Sequence, residues 1–176
     1  MDILISSNLE RLRYHMSGGD SSLVNELMSG LAENGEYEVS DKLIEEIQKT
    51  FDAGCCDEQS VNDTIKQNFD ENGYLLDTHT AVAVKVYEDY VKQTGDDIPT
   101  VIDSTASPYK FSKSVLTAVT GKEQTLDEFD MVDELNAVTG ADVPVSLKAL
   151  KNKSVRFNNV CDKENMSEMV FKLLNL

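Results

Sequence analysis

Between residues 104 and 110 the chain sets three hydroxyls and an ammonium close together: Ser104, Thr105, Ser107 and Lys110. Hydroxyls donate and accept single hydrogen bonds and an ammonium holds an anion, so this grouping suits ligand binding at the mouth of a crevice. Ser104 and Ser107 either face that crevice or cap the helix that begins near Phe111. Neither has a histidine and an acid at a legible spacing, which sets serine-hydrolase chemistry aside. His79 lies one turn into a largely apolar helix and reads as a packed core group rather than a general base. Cys55 and Cys56 are adjacent, and His15 and His79 are remote from them, so no zinc-ligand spacing exists and no metal is expected. No residue is assigned a catalytic role.

The elements that must position this group follow from the apolar pattern. Residues 98–102 are apolar apart from Pro99 and Thr100 and read as a strand, whose carboxyl end delivers Ser104 to Lys110 to the site. Asp77-Thr78-His79-Thr80 opens the strongest helix, with Ala83, Val86, Tyr87, Tyr90 and Val91 on one face and Gly95 closing it. Earlier helices are expected from Leu9 to the Gly18-Gly19 pair, from Asp20 to Asn34-Gly35, after the cap Ser40, and from Asp57 to Asn72-Gly73. Later ones are expected from Phe111 to Gly121, after the capping pair Thr125 and Glu128, after Pro144, and over residues 167–174 with Met169, Val170, Leu173 and Leu174 inward. Short extended runs at residues 3–5, 36–39, 51–56 and 74–76 separate them. Strand, helix and strand in this alternation predict an α/β fold: short, mostly parallel strands flanked by helices, joined by right-handed crossovers. Without a repeat, low-complexity tract or linker, residues 1–176 read as a single domain.

Charge narrows the partners. The 176 residues carry 32 acidic against 16 basic side chains, a net charge of -16, with 40% apolar residues. No basic stripe is present to neutralise phosphates, so nucleic acid is not expected. No apolar run approaches the roughly 20 residues of a membrane span, and Met1-Asp2-Ile3 lacks the basic start of a signal peptide. Three cysteines, an odd number, argue for free, buried or half-buried thiols in a reducing, cytoplasmic setting.

Three segments carry a resemblance. Ser104-Thr105-Ala106-Ser107-Pro108-Tyr109-Lys110-Phe111 is similar to a Ser-Thr-Ala-(Ser/His)-Pro-x-Lys-Phe segment of threonine synthases, which are pyridoxal-phosphate (PLP) enzymes. Met1-Asp2-Ile3-Leu4-Ile5-Ser6-Ser7-Asn8-Leu9-Glu10-Arg11 resembles their Met-Asp-Ile-x-x-Ser-Ser-Asn-(Leu/Phe)-Glu-Arg, and Tyr74-Leu75-Leu76-Asp77-Thr78-His79-Thr80-Ala81 their Tyr-x-x-Asp-Pro-His-Thr-Ala. Their order matches the family across nearly the full length. Thr78 replaces the usual proline, and Arg13 stands where an apolar residue is common, a change compatible with a surface position.

The resemblance begins in the middle of the family. It implies a C-terminal portion of a threonine synthase, part of a fold-type-II PLP-enzyme sheet, with the Schiff-base lysine and the phosphate loop upstream. The parent would convert O-phosphohomoserine and water to threonine and phosphate with PLP, and this portion alone would neither hold the cofactor nor be active. Thr105 matches the residue whose hydroxyl faces the pyridine nitrogen of PLP. Asn8, Arg11 and Lys110 are the candidates for binding substrate. For Lys110 the alternative is a solvent-facing helix start, and for Arg11 it is pairing with Glu10 or Asp77. The implied partner is the N-terminal part of the same polypeptide, and apolar surface meant for it would favour self-association. The competing expectation is a stand-alone acidic α/β domain that binds without catalysis; a threonine dehydratase fits the three segments less well.

Overall fold

The structure, a computed structural model, describes residues 5–176. Every regular element among the described residues is helical, so the α/β expectation is overturned. The α-helices are α1 (Ser7–Met16), α2 (Ser21–Asn34), α3 (Asp41–Gln48), α4 (Glu58–Asn72), α5 (Thr78–Thr94), α6 (Ser112–Thr120), α7 (Glu128–Thr139), α8 (Val145–Leu150) and α9 (Met166–Leu174). Short 3-10 turns at Pro108–Phe111 and Lys163–Asn165 precede α6 and α9.

A strand exists only where a neighbour completes its hydrogen-bonding ladder. Residues 36–39, 51–56, 74–76 and 98–103 are irregular, and no ladder joins any of them to another described segment. Their apolar residues have different fates. Leu75 and Leu76 are buried as the lead-in to α5, whereas Ile98 and Val101 point outward, Val101 at 89% exposure. In the run over residues 3–5, Ile3 and Leu4 lie outside the described residues, and Ile5 is exposed.

Helix boundaries follow the chemistry of the termini. Asp20, Asp57, Asp77 and Asp127 cap the starts of α2, α4, α5 and α7 through side-chain oxygens that accept first-turn amides. The start of α7 is therefore set by Asp127, not by the expected Thr125 and Glu128: its Oδ1 takes the amides of Phe129 and Asp130, both at 2.9 Å. Ser40 holds the cap position of α3 without a side-chain bond. Gly73 and Gly95 end α4 and α5 in the left-handed region (φ 65° and 70°), which a residue without a Cβ enters freely.

The chain clusters into two compact units, one ending at Gln124 and one running from Thr125 to Leu176. In the first, α4 packs against both α5 and α6, and α1 packs against α2 and α3. Ile65, Ala81, Val115 and Leu116 are fully buried, while Val24, Leu27 and Leu43 fill the smaller cluster of the first three helices. Gly54 lies where the loop before α4 presses on α5; a Cβ there would meet Val86 Cγ1 at 2.8 Å. In the second unit Met131, Val132 and Leu135 bury one face of α7, and Lys151 Nζ donates to Asp130 (3.0 Å) and Asp133 (2.7 Å). The apolar face of α9 does not turn inward as expected. Val170, Leu173 and Leu174 are all at least half exposed, because no described element covers them.

Candidate functional site

The segment from Ser104 to Lys110 is held at both ends. At its start stands a buried relay. Asp77, 1% exposed, caps α5 by accepting from the amides of His79 (2.8 Å) and Thr80 (3.2 Å), and its second oxygen accepts from the Thr80 hydroxyl. Thr80 Oγ1 also lies 3.2 Å from Ser104 Oγ. Thr80 has one hydroxyl proton and the Asp77 carboxylate only accepts, so Ser104 completes the relay by donating to Thr80. The start of α5 thereby holds a hydroxyl 24 residues beyond Thr80.

At its far end the segment turns into the 3-10 turn. Ser107 caps this turn, its Oγ accepting from the Tyr109 amide at 3.3 Å and its carbonyl from Lys110 at 3.0 Å. Tyr109 is buried and anchors the turn; its carbonyl accepts from the Ser112 hydroxyl at 2.7 Å. His79 packs edge-on against Phe111, with ring centroids 4.9 Å apart and planes at 77°, as expected of a packed histidine. Between the anchors the Thr105 side chain is exposed.

Upstream, Tyr90 Oη donates to Asp96 Oδ2 at 2.9 Å and the Ile98 amide to Asp96 Oδ1 at 3.0 Å. The Ile98 amide and the phenol hold the Asp96 carboxyl below its ordinary pKa, and the same bond to Asp96 pushes the Tyr90 phenol up.

The remaining candidates fall into two places. Lys110 is exposed, its ammonium 5.6 Å from the centre of the Phe111 ring. Asn8 and Arg11, both exposed on α1, pair with each other: the Arg11 guanidinium donates to Asn8 Oδ1. Neither Glu10 nor Asp77 is the partner of Arg11. Among the described residues no hydrogen bond or ion pair joins Asn8 or Arg11 to Thr105 or Lys110.

Sequence reasoning placed Asp77 and Thr80 at the start of a helix, and Asp77 as a possible partner of Arg11, but gave neither a part in holding Ser104. The legible signal was Asp77 in a cap position three residues before a hydroxyl, a spacing that lets one carboxylate reach both an amide and a side chain. Arg13, expected to be compatible with the surface, is 6% exposed.

Residues 80–170 match the sequence model of the family described as "Threonine synthase, C-terminal". The chain belongs to the threonine synthase family. Human "Threonine synthase-like 1" is 37% identical over 123 residues, 70% of this chain and 16% of that protein. The crystal structure of threonine synthase from yeast superposes with a TM-score of 0.74 at 29% identity, over 99% of this chain and 35% of the other. A PLP-bound threonine synthase from Brucella melitensis gives a TM-score of 0.60 at 30% identity, over 80% of this chain and 34% of the other. The chain thus spans a sixth to about a third of these relatives' lengths. The family match contains Thr80, Ser104, Thr105 and Lys110, while Asn8 and Arg11 precede it.

No helix among the described residues is long and apolar enough to cross a membrane. Cys55 is exposed and Cys56 and Cys161 are half-buried, and all three are free thiols.

Proposed function

We propose that this chain is the part of a PLP-dependent threonine synthase that presents Thr105 to the pyridine nitrogen of the cofactor. The parent enzyme would convert O-phosphohomoserine and water to threonine and phosphate. The observation that carries the reading is an exposed Thr105 on a segment held at both ends, by the Ser104 relay and by the Ser107 turn, in a chain of this family.

The described residues fit one edge of PLP and not the other. A neutral hydroxyl suits a ring nitrogen left unprotonated, and PLP when bound supplies an electron sink. A glycine-rich phosphate cradle leads into the amides of a helix start. Gly35, Gly73, Gly95, Gly121 and Gly140 instead end helices, where carbonyls face out, and the start of α2 beyond Gly18 and Gly19 is taken by the Asp20 carboxylate. The phosphate and the aldehyde therefore fall to the rest of the polypeptide, the partner in this reading. Asn8, Arg11 and Lys110 would bind the anionic groups of the substrate. The outward Ile98 and Val101 belong to the surface that meets the partner, and without it they favour self-association. The chain alone would be inactive.

The test is the intact mass of the protein in its source cells, detected through a peptide spanning residues 101–110. A mass well over twice 19.6 kDa is expected, and the long form should release phosphate from O-phosphohomoserine while the 176-residue chain does not. Thr105→Ala in the long form should keep the fold and lose most of that activity. A mass near 19.6 kDa would overturn the reading.

A further inference from the structure

A second place in the first unit has the makings of a ligand site, and nothing in the threonine synthase reading uses it. Beside α1 and α2 lies a cavity of about 300 Å³, with Leu9, Met28 and Leu31 as apolar walls, Glu36 beside them, and Arg13 and Tyr37. The Arg13 guanidinium is stacked over the Tyr37 ring, 4.3 Å from its centre, so one face is covered. Among the described residues, no carboxylate lies within ion-pair distance of Arg13 and no side chain or carbonyl accepts from its guanidinium. No fully buried side-chain nitrogen among them lacks a partner, so the guanidinium N–H groups must touch open space. Arg13 is also one of the residues that line the cavity.

We propose that this cavity binds a small monocarboxylate with an apolar body, seated on Arg13. A guanidinium covered on one face by a ring still offers its edge, and that edge matches a carboxylate with two parallel hydrogen bonds. The walls set the rest of the ligand: apolar, and of the order of ten water volumes. Glu36 and the net charge of -16 weigh against a dianion such as phosphate. The cation is kept at a cost. Burial lowers the Arg13 pKa from its ordinary value, opposed by Glu10 on the same helix, and an incoming carboxylate offsets that desolvation.

The probe is hexanoate, titrated into the 176-residue chain and followed by backbone amide shifts and calorimetry, with hexanamide and inorganic phosphate as controls. Saturable shifts at Arg13, Leu31 and Tyr37 are expected, with hexanamide and phosphate each weaker by about tenfold or more. Arg13→Leu, which keeps an apolar stem without the guanidinium, should abolish binding while leaving the helical circular dichroism intact. Arg13→Lys keeps the charge without the planar fork and should weaken binding; Glu36→Gln should tighten it. No shift up to about 10 mM hexanoate overturns the proposal. Equal binding of hexanoate and hexanamide, equal binding of phosphate, or retained affinity in Arg13→Leu overturns it too.

Discussion

Thr80→Val should destabilise the first unit by about 2 kcal/mol, and the loss should be coupled to Ser104. Valine keeps the shape of threonine and removes only the hydroxyl. Thr80 is 4% exposed, so no water readily replaces the lost group. The hydroxyl donates to Asp77 Oδ2, and a charge-assisted bond of this kind contributes about 1.5–3 kcal/mol net. Ser104, at the exposed end of the relay, should cost only about 0.5–1 kcal/mol when changed to alanine, because water takes its place. If the relay is continuous, Ser104→Ala should cost little more once Thr80→Val is present, giving a coupling of about 0.5–1 kcal/mol. Thermal unfolding of the four chains by circular dichroism reads this as a fall of about 4–8 °C for Thr80→Val. Amide exchange at His79 and Thr80 reports whether the α5 cap itself opens. A Thr80→Val chain within about 0.5 kcal/mol of the parent, or losses that simply add, would refute the relay.

Gly54→Ala should cost about 1–3 kcal/mol in urea unfolding, since the new methyl meets Val86, whose branched side chain has one favoured rotamer in a helix; an unchanged midpoint would show that the loop yields freely. Asp57, Asp96 and Asp127 all have carboxyl pKa values below the ordinary 3.8, held there first by backbone amides. Their contribution is therefore complete above about pH 4 and is lost as pH falls through the lowered folded values. Melting curves from pH 6 to pH 2 should show that loss, and Asp57→Asn or Asp127→Asn should flatten it. Iodoacetamide should modify exposed Cys55 well before Cys56, whose thiol is half-buried and pushed up first by burial and then by Asp57; peptide mass mapping over time reads the order.

Helices were legible here because their signals are local. Asp20, Asp57 and Asp77 sit one residue before a helical turn, and Gly35, Gly73, Gly95 and Gly121 end helices where the sequence says they must. Strands were misread because their signal is half of a relationship. The pattern Ile98-Pro99-Thr100-Val101-Ile102 resembles a strand, yet a strand is completed by a neighbour, and none of the described segments provides one. The same reasoning explains α9, whose apolar spacing marks a face without saying what covers it. Arg13 failed in the other direction. Charge suggests surface, but the stem of an arginine packs well and its planar head can stack on an aromatic ring, so Tyr37 takes it inside.

The Asp77 relay also bears on how Thr105 would meet a ring nitrogen in the proposed reading. An exposed hydroxyl on a free loop must be ordered when its partner arrives, at a cost of roughly 1–2 kcal/mol for each backbone residue fixed. Ser104 is already held by Thr80, and the turn after Ser107 is already held by buried Tyr109. Only Thr105 and Ala106 lie between the two anchors, so most of that ordering is complete before any ligand binds. In that reading the buried carboxylate that begins α5 would act on the site through two hydroxyls without touching the ligand, a positioning role rather than a catalytic one. Its cost falls on the helix, where a cap is required anyway.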